Sequence, residues 1–297
     1  MAITDNKKRL LITGGSGFLG YHLLASASTQ WEVCAIHHQH QPRYNTCISL
    51  LCDVTNYIEL GNLLEDIEPD AVIHTAALTD VNYCQNNPQE SYSVNVEASR
   101  NLAGLCSDLN IPFAFTSTDL VFDGQKGNYT EEDTPNPLMR YGEHKVMAEE
   151  EVLRIYPRAT VFRLPVMFGY KAASEKNYLQ QLIKNLNAGL PQKLFTDEYR
   201  SVCGAKSIAK GLLQLFENTN GIYHLAGTEK FSRYEFALLA AELYDLNKSL
   251  ILPCLQADVR MAAPRPADVS LNISKAVAIG YQPLLITDEL TLIKDNE

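Results

Sequence analysis

The chain has 297 residues, 46% of them hydrophobic, and a formal net charge of -10 at pH 7. That is enough for one large domain or two unequal lobes with a proper core, while the acidic balance offers no basic footprint for nucleic acid and repels phosphorylated ligands unless arginines gather locally. Apolar runs fall short of the roughly 20 residues a membrane span needs, no secretory signal is visible, and the seven cysteines include no C-x-x-C pair, so a soluble cytoplasmic chain with free thiols is expected.

In chain order, Arg9 to Thr13 reads as a strand and Phe18 to Ala27 as a helix, joined by Gly14-Gly15-Ser16-Gly17. Gly15, Gly17 and Gly20 satisfy G-x-G-x-x-G, and Gly14, Gly17 and Gly20 satisfy G-x-x-G-x-x-G. Strand, glycine turn and helix in this order suit a dinucleotide: without Cβ atoms the backbone can approach a pyrophosphate, and the helix N-terminus offers free N–H groups. Strands follow at Trp31 to Ile36 and Thr46 to Leu51. The end of the second reads Cys34-Ala35-Ile36-His37-His38, with Arg43 beyond. NAD sites place Asp or Glu here for the ribose 2′-hydroxyl; with no carboxylate, and with His37, His38 and Arg43 able to attract a 2′-phosphate, NADP(H) is the preferred expectation and NAD(H) a usable second. His37-His38-Gln39-His40 reads as a polar loop, and no histidine or cysteine spacing suggests a metal site.

Ala71 to His74 is the next strand, and the longest intervening helix is expected within Pro88 to Leu109, with Tyr92, Val96, Leu102 and Leu105 facing the sheet. Phe113 to Ser117 is a strand running into Thr118 and Asp119. Ligands of open parallel sheets sit at the carboxyl ends of strands, so Ser117 or Thr118 would reach the crevice of the glycine turn. Tyr141 to Tyr156 reads as an amphipathic helix that puts Tyr141 and Lys145, at i and i+4, on one face. A tyrosine ordinarily ionises near ~10; a neighbouring ammonium favours the phenolate and eases proton exchange with a substrate oxygen. Ala159 to Leu164 ends the alternating half. The alternation predicts an α/β fold, a Rossmann-type doubly wound parallel sheet over residues 1–164. Beyond it, prolines and glycines punctuate the chain, and Ser232-Arg233-Tyr234-Glu235 is a capping box opening a helix to about Leu246. Residues 165–297 are expected to form mainly a smaller substrate-binding lobe, with some segments returning to the first domain.

Several phrases carry a family resemblance: Val72-Ile73-His74-Thr75-Ala76-Ala77, Asn95-Val96-Glu97-Ala98, Ser117 to Gly124, the Tyr141/Lys145 pair, Gly221 to Gly227, and Arg265-Pro266-Ala267-Asp268-Val269. The chain resembles the extended short-chain dehydrogenases/reductases, and within them the dTDP-4-dehydrorhamnose reductases. That resemblance implies reduction of a 4-keto deoxysugar nucleotide, with Tyr141 as general acid, Lys145 on the nicotinamide ribose and Thr118 orienting the keto oxygen. It implies cofactor contacts at Gly14, Ser16, Gly17, Phe18, Leu19, Asp53, Val54, Ala76 and Ala77, joined by His37 and His38. Substrate contacts fall on Thr118, Asp119, Arg200 and Arg265, the arginines suiting a diphosphate. Partners would be a small nucleotide sugar and, optionally, a second copy of the chain as a homodimer, with no nucleic acid and no membrane.

Leu120 departs from the family, which commonly has an aromatic residue there. A dehydratase of the superfamily normally has Asp-Glu after the threonine; Asp119-Leu120 argues against dehydration, while an epimerase needs only Tyr141, Lys145, Thr118 and a retained cofactor. The chain also resembles the NADP-binding regulatory beta subunit of methionine adenosyltransferase, through His74-Thr75-Ala76-Ala77, Asn95 to Ser99 and Asn101-Leu102-Ala103.

Overall fold

The computed structural model describes residues 7–44, 46–169 and 177–295; the first six residues, read above for a leader, lie outside the described residues. The central sheet has seven parallel strands: Arg9–Thr13 (β1), Glu32–His37 (β2), Ile48–Leu51 (β3), Ala71–His74 (β4), Phe113–Thr118 (β5), Thr160–Leu164 (β6) and Gly221–His224. In space β3, β2, β1, β4, β5 and β6 lie side by side, and Gly221–His224 pairs outside β6. This is the doubly wound order the alternation predicted. The strand order reverses at β1, between β2 and β4, which opens a crevice at the carboxyl ends of these strands.

Continuous apolar runs make the inner strands because both faces are covered. Leu10 and Ile12 pack with Leu23 and Leu24 of α1 (Phe18–Ala27) and with Ile208 and Leu212 of the Ala205–Leu215 helix. Leu11 points the other way, into a cluster with Leu60 and Leu64 of α2 (Tyr57–Ile67), Leu102 and Val152. A third cluster, with Leu179, Leu182, Phe236, Ala240 and Leu290, draws its buried residues from Phe168 onward.

Some element bounds differ from expectation. β2 and β3 start one and two residues late, at Glu32 and Ile48; Trp31 instead closes the turn after α1, its N–H donating to Ala27 O at 2.9 Å. The expected helix over Pro88 to Leu109 is one run with a π turn in it: Pro88–Tyr92, Ser93–Glu97, then Ala98–Asp108. The extra residue of the π turn shifts the helix phase, so Val96 and Leu102 are buried but Tyr92 is 38% exposed. The single longest α-helix among the described residues is Arg140–Ile155. The capping box at Ser232 and Glu235 forms, but its helix ends at Leu243, where Asp245 turns left-handed at φ 56°.

Candidate functional site

The glycine turn is shaped by contacts that no side chain would allow. Gly14 has φ +70°, and a Cβ there would stand 2.7 Å from Ala76 N. A Cβ on Gly20 would overlap the Gly14 carbonyl and lie 2.9 Å from Gly15 Cα. The turn is held by Gly15 N–H donating to Ile36 O at 3.0 Å and Gly17 N–H to Gly14 O at 2.9 Å. α1 starts on Gly17 with no side-chain cap and no acidic residue in its first turn, which leaves its first N–H groups for an anion.

A buried hydrogen-bond chain presses the loop after β4 against this turn. Thr13 Oγ1 lies 2.6 Å from His74 Nδ1, and His74 Nε2 lies 3.0 Å from Ser99 Oγ. Ser99 donates onward to Asn95 O at 2.8 Å, so His74 must give its Nε2 proton to Ser99 and accept from Thr13. Burial, with the charge of Lys145 adding, lowers the pKa of His74 to about 3 and keeps it neutral. Thr13 Oγ1 in turn accepts the N–H groups of Thr75 and Ala76, both at 3.2 Å. Asn95 clamps Leu78 from both sides, at 2.9 Å to its N–H and 3.0 Å to its carbonyl.

Tyr141 and Lys145 project from the first turns of the Arg140–Ile155 helix, both buried. The helix comes this close to the end of β5 because position 142 is glycine; a Cβ there would collide with Leu120 O. Tyr141 and Thr118 line the same cavity, and Thr118 Oγ1 accepts from Leu120 N–H and donates to Asp119 Oδ1, both at 3.2 Å. The expectation that Lys145 brings Tyr141 toward the phenolate is corrected: burial, reinforced by Cys84 and Asp119, raises the tyrosine pKa, and the lowering influence of the Thr118 hydroxyl is smaller. Tyr141 is therefore held as the neutral phenol, the form that gives up a proton. Burial likewise pushes Lys145 down to about 7, with Glu149 opposing. Glu149 is itself taken by Arg163 at 2.7 Å, and Lys145 Nζ sits 4.0 Å above the Phe115 ring.

Apart from Gly15 and Arg43, the site residues singled out in the sequence, from Gly14 through His37, Asp53, Ala76 and Tyr141 to Arg265, line one cavity of about 920 Å³, the size range of cofactor sites. Arg43 is exposed and does not line it. Arg200 is buried and its terminal nitrogens are engaged, at 2.8 Å by Asp119 and 3.3 Å by Glu198; these carboxylates outweigh its burial and raise its pKa. Arg265 is loosely held, 3.4 Å from Ala263 O and 3.5 Å from Asn82 Oδ1. The sequence reading missed Arg233 and Glu198, which also line the cavity. Arg233 Nε lies 3.2 Å from Glu198, and its guanidinium lies 4.7 Å from the Tyr178 ring centroid. Arg200 and Arg233 hold the Glu198 carboxyl below its ordinary pKa despite burial. Three of the chain's arginines thus gather on one side of the cavity, Arg200 and Arg233 paired with carboxylates and Arg265 only loosely held. Among the described residues no cluster of His, Cys, Asp or Glu suits a metal ion, and no helix is long and apolar enough to cross a membrane.

Comparison with known proteins gives consistent results. The family model described as RmlD substrate binding domain matches residues 8–290. A probable low-salt glycan biosynthesis reductase, Agl14, of Haloferax volcanii is 30% identical over 95% of this chain and 96% of its own length. Methionine adenosyltransferase 2 subunit beta of Xenopus laevis is 30% identical over 94% of this chain and 84% of its own. Among solved structures, a hypothetical dTDP-4-dehydrorhamnose reductase from Sulfolobus tokodaii superposes with a TM-score of 0.84 at 32% identity, covering 95% of this chain and 98% of that one.

Proposed function

Because the chain belongs to the RmlD substrate binding domain family of extended short-chain dehydrogenases/reductases, we propose that it is an NAD(P)(H)-dependent oxidoreductase that reduces the 4-keto group of a nucleotide-linked deoxysugar. The observation that carries this reading is that the buried Tyr141 phenol, held neutral, lines with Thr118 and Lys145 the same cavity as the glycine turn. A dinucleotide fits that turn: the cradle at Gly14 and Gly20 has no room for a Cβ, and α1 leaves its first N–H groups uncapped. Gly14, Ser16, Gly17, Phe18, Leu19, Asp53, Val54, Ala76 and Ala77 would hold it, with His37 and His38 at the adenosine ribose, NADP(H) preferred and NAD(H) accepted. When bound, the nicotinamide supplies the hydride.

The chain's own residues do the rest. Thr118 orients the sugar oxygen and Tyr141 protonates it as negative charge develops there, the general acid step. Lys145 binds the ribose beside them and, once charged, stabilises the phenolate that Tyr141 leaves behind. Arg233 and Arg265 offer guanidinium groups to the diphosphate, while Arg200 holds Asp119, and through it Thr118, in position. With Asp119 bound in that ion pair and followed by Leu120, dehydration lacks its acid and base. Residues 1–164 would serve mainly the cofactor and 165–297 mainly the substrate, in a cytoplasmic protein able to form a homodimer.

NADPH oxidation followed at 340 nm with a panel of nucleotide-linked 4-keto deoxysugars, with NADH beside it, tests the reading. Turnover with one sugar supports it. Saturable NADPH binding without oxidation of any sugar would favour the second reading, a regulatory subunit like the methionine adenosyltransferase beta subunit, which is 30% identical over 94% of this chain. Interconversion of sugars without net cofactor oxidation would favour an epimerase.

A further inference from the structure

One helical turn beyond Lys145 stands Glu149, and side chains at i and i+4 of a helix can meet. Here the carboxylate turns to a different cation. Arg163 of β6 holds it three ways, Nη2 to Oε2 at 2.7 Å and Nε to Oε1 and Oε2 at 3.0 and 3.2 Å, while Lys145 Nζ lies over the Phe115 ring. The strand geometry brings Arg163 there. Val161 packs in the cluster with Ala148 and Val152 of the Arg140–Ile155 helix, and Arg163, two residues on, faces the same way. Its register partner on β5 is Ser117, next to Thr118.

The pair is an expensive way to fill this space. Arg163 and Glu149 are 1% and 3% exposed, and Arg163 Nη1 is buried with no hydrogen-bond partner among the described residues. Apolar side chains of the same volume would stabilise the fold as well or better, since burying two charges and one spare donor costs more than the pairing returns. What apolar side chains could not do is fix the charge beside Lys145. We propose that Arg163 is a positioning residue for the reduction: by holding Glu149 off Lys145, it leaves the lysine's charge free for the dinucleotide ribose and for the phenolate that Tyr141 leaves behind. The proposal rests on the reductase reading above.

The other groups around Lys145 do not compete for it. Tyr141 on the same helix and His74 of β4 are held neutral, and Asp119 at the end of β5 is bound to Arg200. His224, the register partner of Arg163 on the outer strand, is neutral as well, because burial and then the Arg163 charge lower its pKa to about 3. Burial lowers Lys145 to about 7, and Glu149 opposes that lowering. A reduction that needs Lys145 charged loses rate as pH rises through the lysine's pKa. A carboxylate released to Lys145 moves that fall to higher pH, and an arginine left without its carboxylate moves it to lower pH.

The test is the pH profile of kcat/KM for the sugar at saturating NADPH, in the full chain and three variants. Arg163→Met should shift the falling limb up by about one pH unit or more, and Glu149→Gln should shift it down by as much, the effect of a unit charge ~8–10 Å away at an effective dielectric of about 20. Arg163→Met/Glu149→Gln should fall between the two. Single variants that lose rate with the limb unmoved, or that move it the same way, would overturn the proposal, because a merely structural ion pair predicts no opposite shifts. If Arg163→Met does not fold, the double variant, which leaves no buried charge unpaired, must still fall at higher pH than Glu149→Gln; the reverse order overturns the proposal. The same shifts are expected, without substrate, in the carbon NMR titration of lysine labelled at Cε, the Lys145 signal being the one lost in Lys145→Met. Should no sugar turn over, the proposed function fails, and this titration alone decides whether Arg163 governs Lys145: opposite shifts uphold it and unmoved ones overturn it.

Discussion

Lys145 is held in a place that costs the fold stability. It is buried above the Phe115 ring, and the carboxylate one helical turn on, Glu149, is engaged by Arg163. Burial brings its pKa from 10.5 to about 7. The unfolded chain therefore binds this proton below about pH 10.5, but the folded chain only below about pH 7. Between those values the unfolded state holds more protons, so stability rises with pH, and the penalty is fully present below about 7. At about 1.4 kcal/mol per pH unit, the upper bound is ~5 kcal/mol; with the effective dielectric of about 20 that buried sites show, about 2 kcal/mol is the working figure. Lys145→Met keeps the side chain's length and removes the charge. In thermal unfolding without added dinucleotide, at about pH 6.5, the variant should melt roughly 5 °C above the parent, at 2–4 °C for each kcal/mol. That gain should shrink toward about pH 10 as the parent loses its penalty. A variant that melts below the parent at about pH 6.5, or whose gain does not change with pH, would refute the reasoning.

Tyr141→Phe should keep dinucleotide affinity and lose about 10²- to 10⁴-fold in turnover, the worth of a positioned acid; native-rate reduction by this variant would remove Tyr141 from that role. Gly14→Ala must relieve a Cβ 2.7 Å from Ala76 N at φ +70°, a strain of about 1–2 kcal/mol from the backbone alone, and should weaken dinucleotide binding about tenfold or more in a fluorescence titration. Arg265→Ala, and separately Arg233→Ala, should raise KM for the nucleotide sugar with a smaller effect on kcat, whereas Arg200→Lys should lower kcat, since its partner Asp119 positions Thr118. Equal kcat loss in all three would contradict that division of labour.

What could be read in the sequence was what repeats or what few residues can replace. Leu10-Leu11-Ile12 and Phe113 to Phe115 announce buried strands because a sheet covered on both faces has no polar alternation. The glycine turn and the Tyr141/Lys145 spacing are dictated by a cradle and a helix face. The fall in Lys145's pKa and the rise in Tyr141's could not be read, because both depend on burial between elements distant in sequence. The π turn at Ser93–Glu97 was hidden because helical periodicity survives on both sides of it, and Asn95 turns its side chain to Leu78. Arg233 was concealed by its neighbours: the Ser232-to-Glu235 capping box accounts for the segment locally, and only the antiparallel pairing of Tyr199–Arg200 with Phe231–Ser232 brings it to Glu198. Strands of two residues have no period to detect.

The place of Gly221–His224 beside β6 also bears on how the chain is made. When a ribosome has added residue 164, six of the seven strands exist, yet β6 still has a bare outer edge and α1 lacks the Ala205–Leu215 helix that will cover it. Nascent chains of this intermediate length expose an unpaired strand edge and a sheet of leucines and isoleucines, the features that drive self-association. Fragments ending between 165 and 220 should therefore collect as insoluble protein, while chains that extend past 224 can close the sheet. The late half is thus an internal escort for the early one, and any splitting of this protein for expression or evolution has to carry that strand and that helix with the first 164 residues.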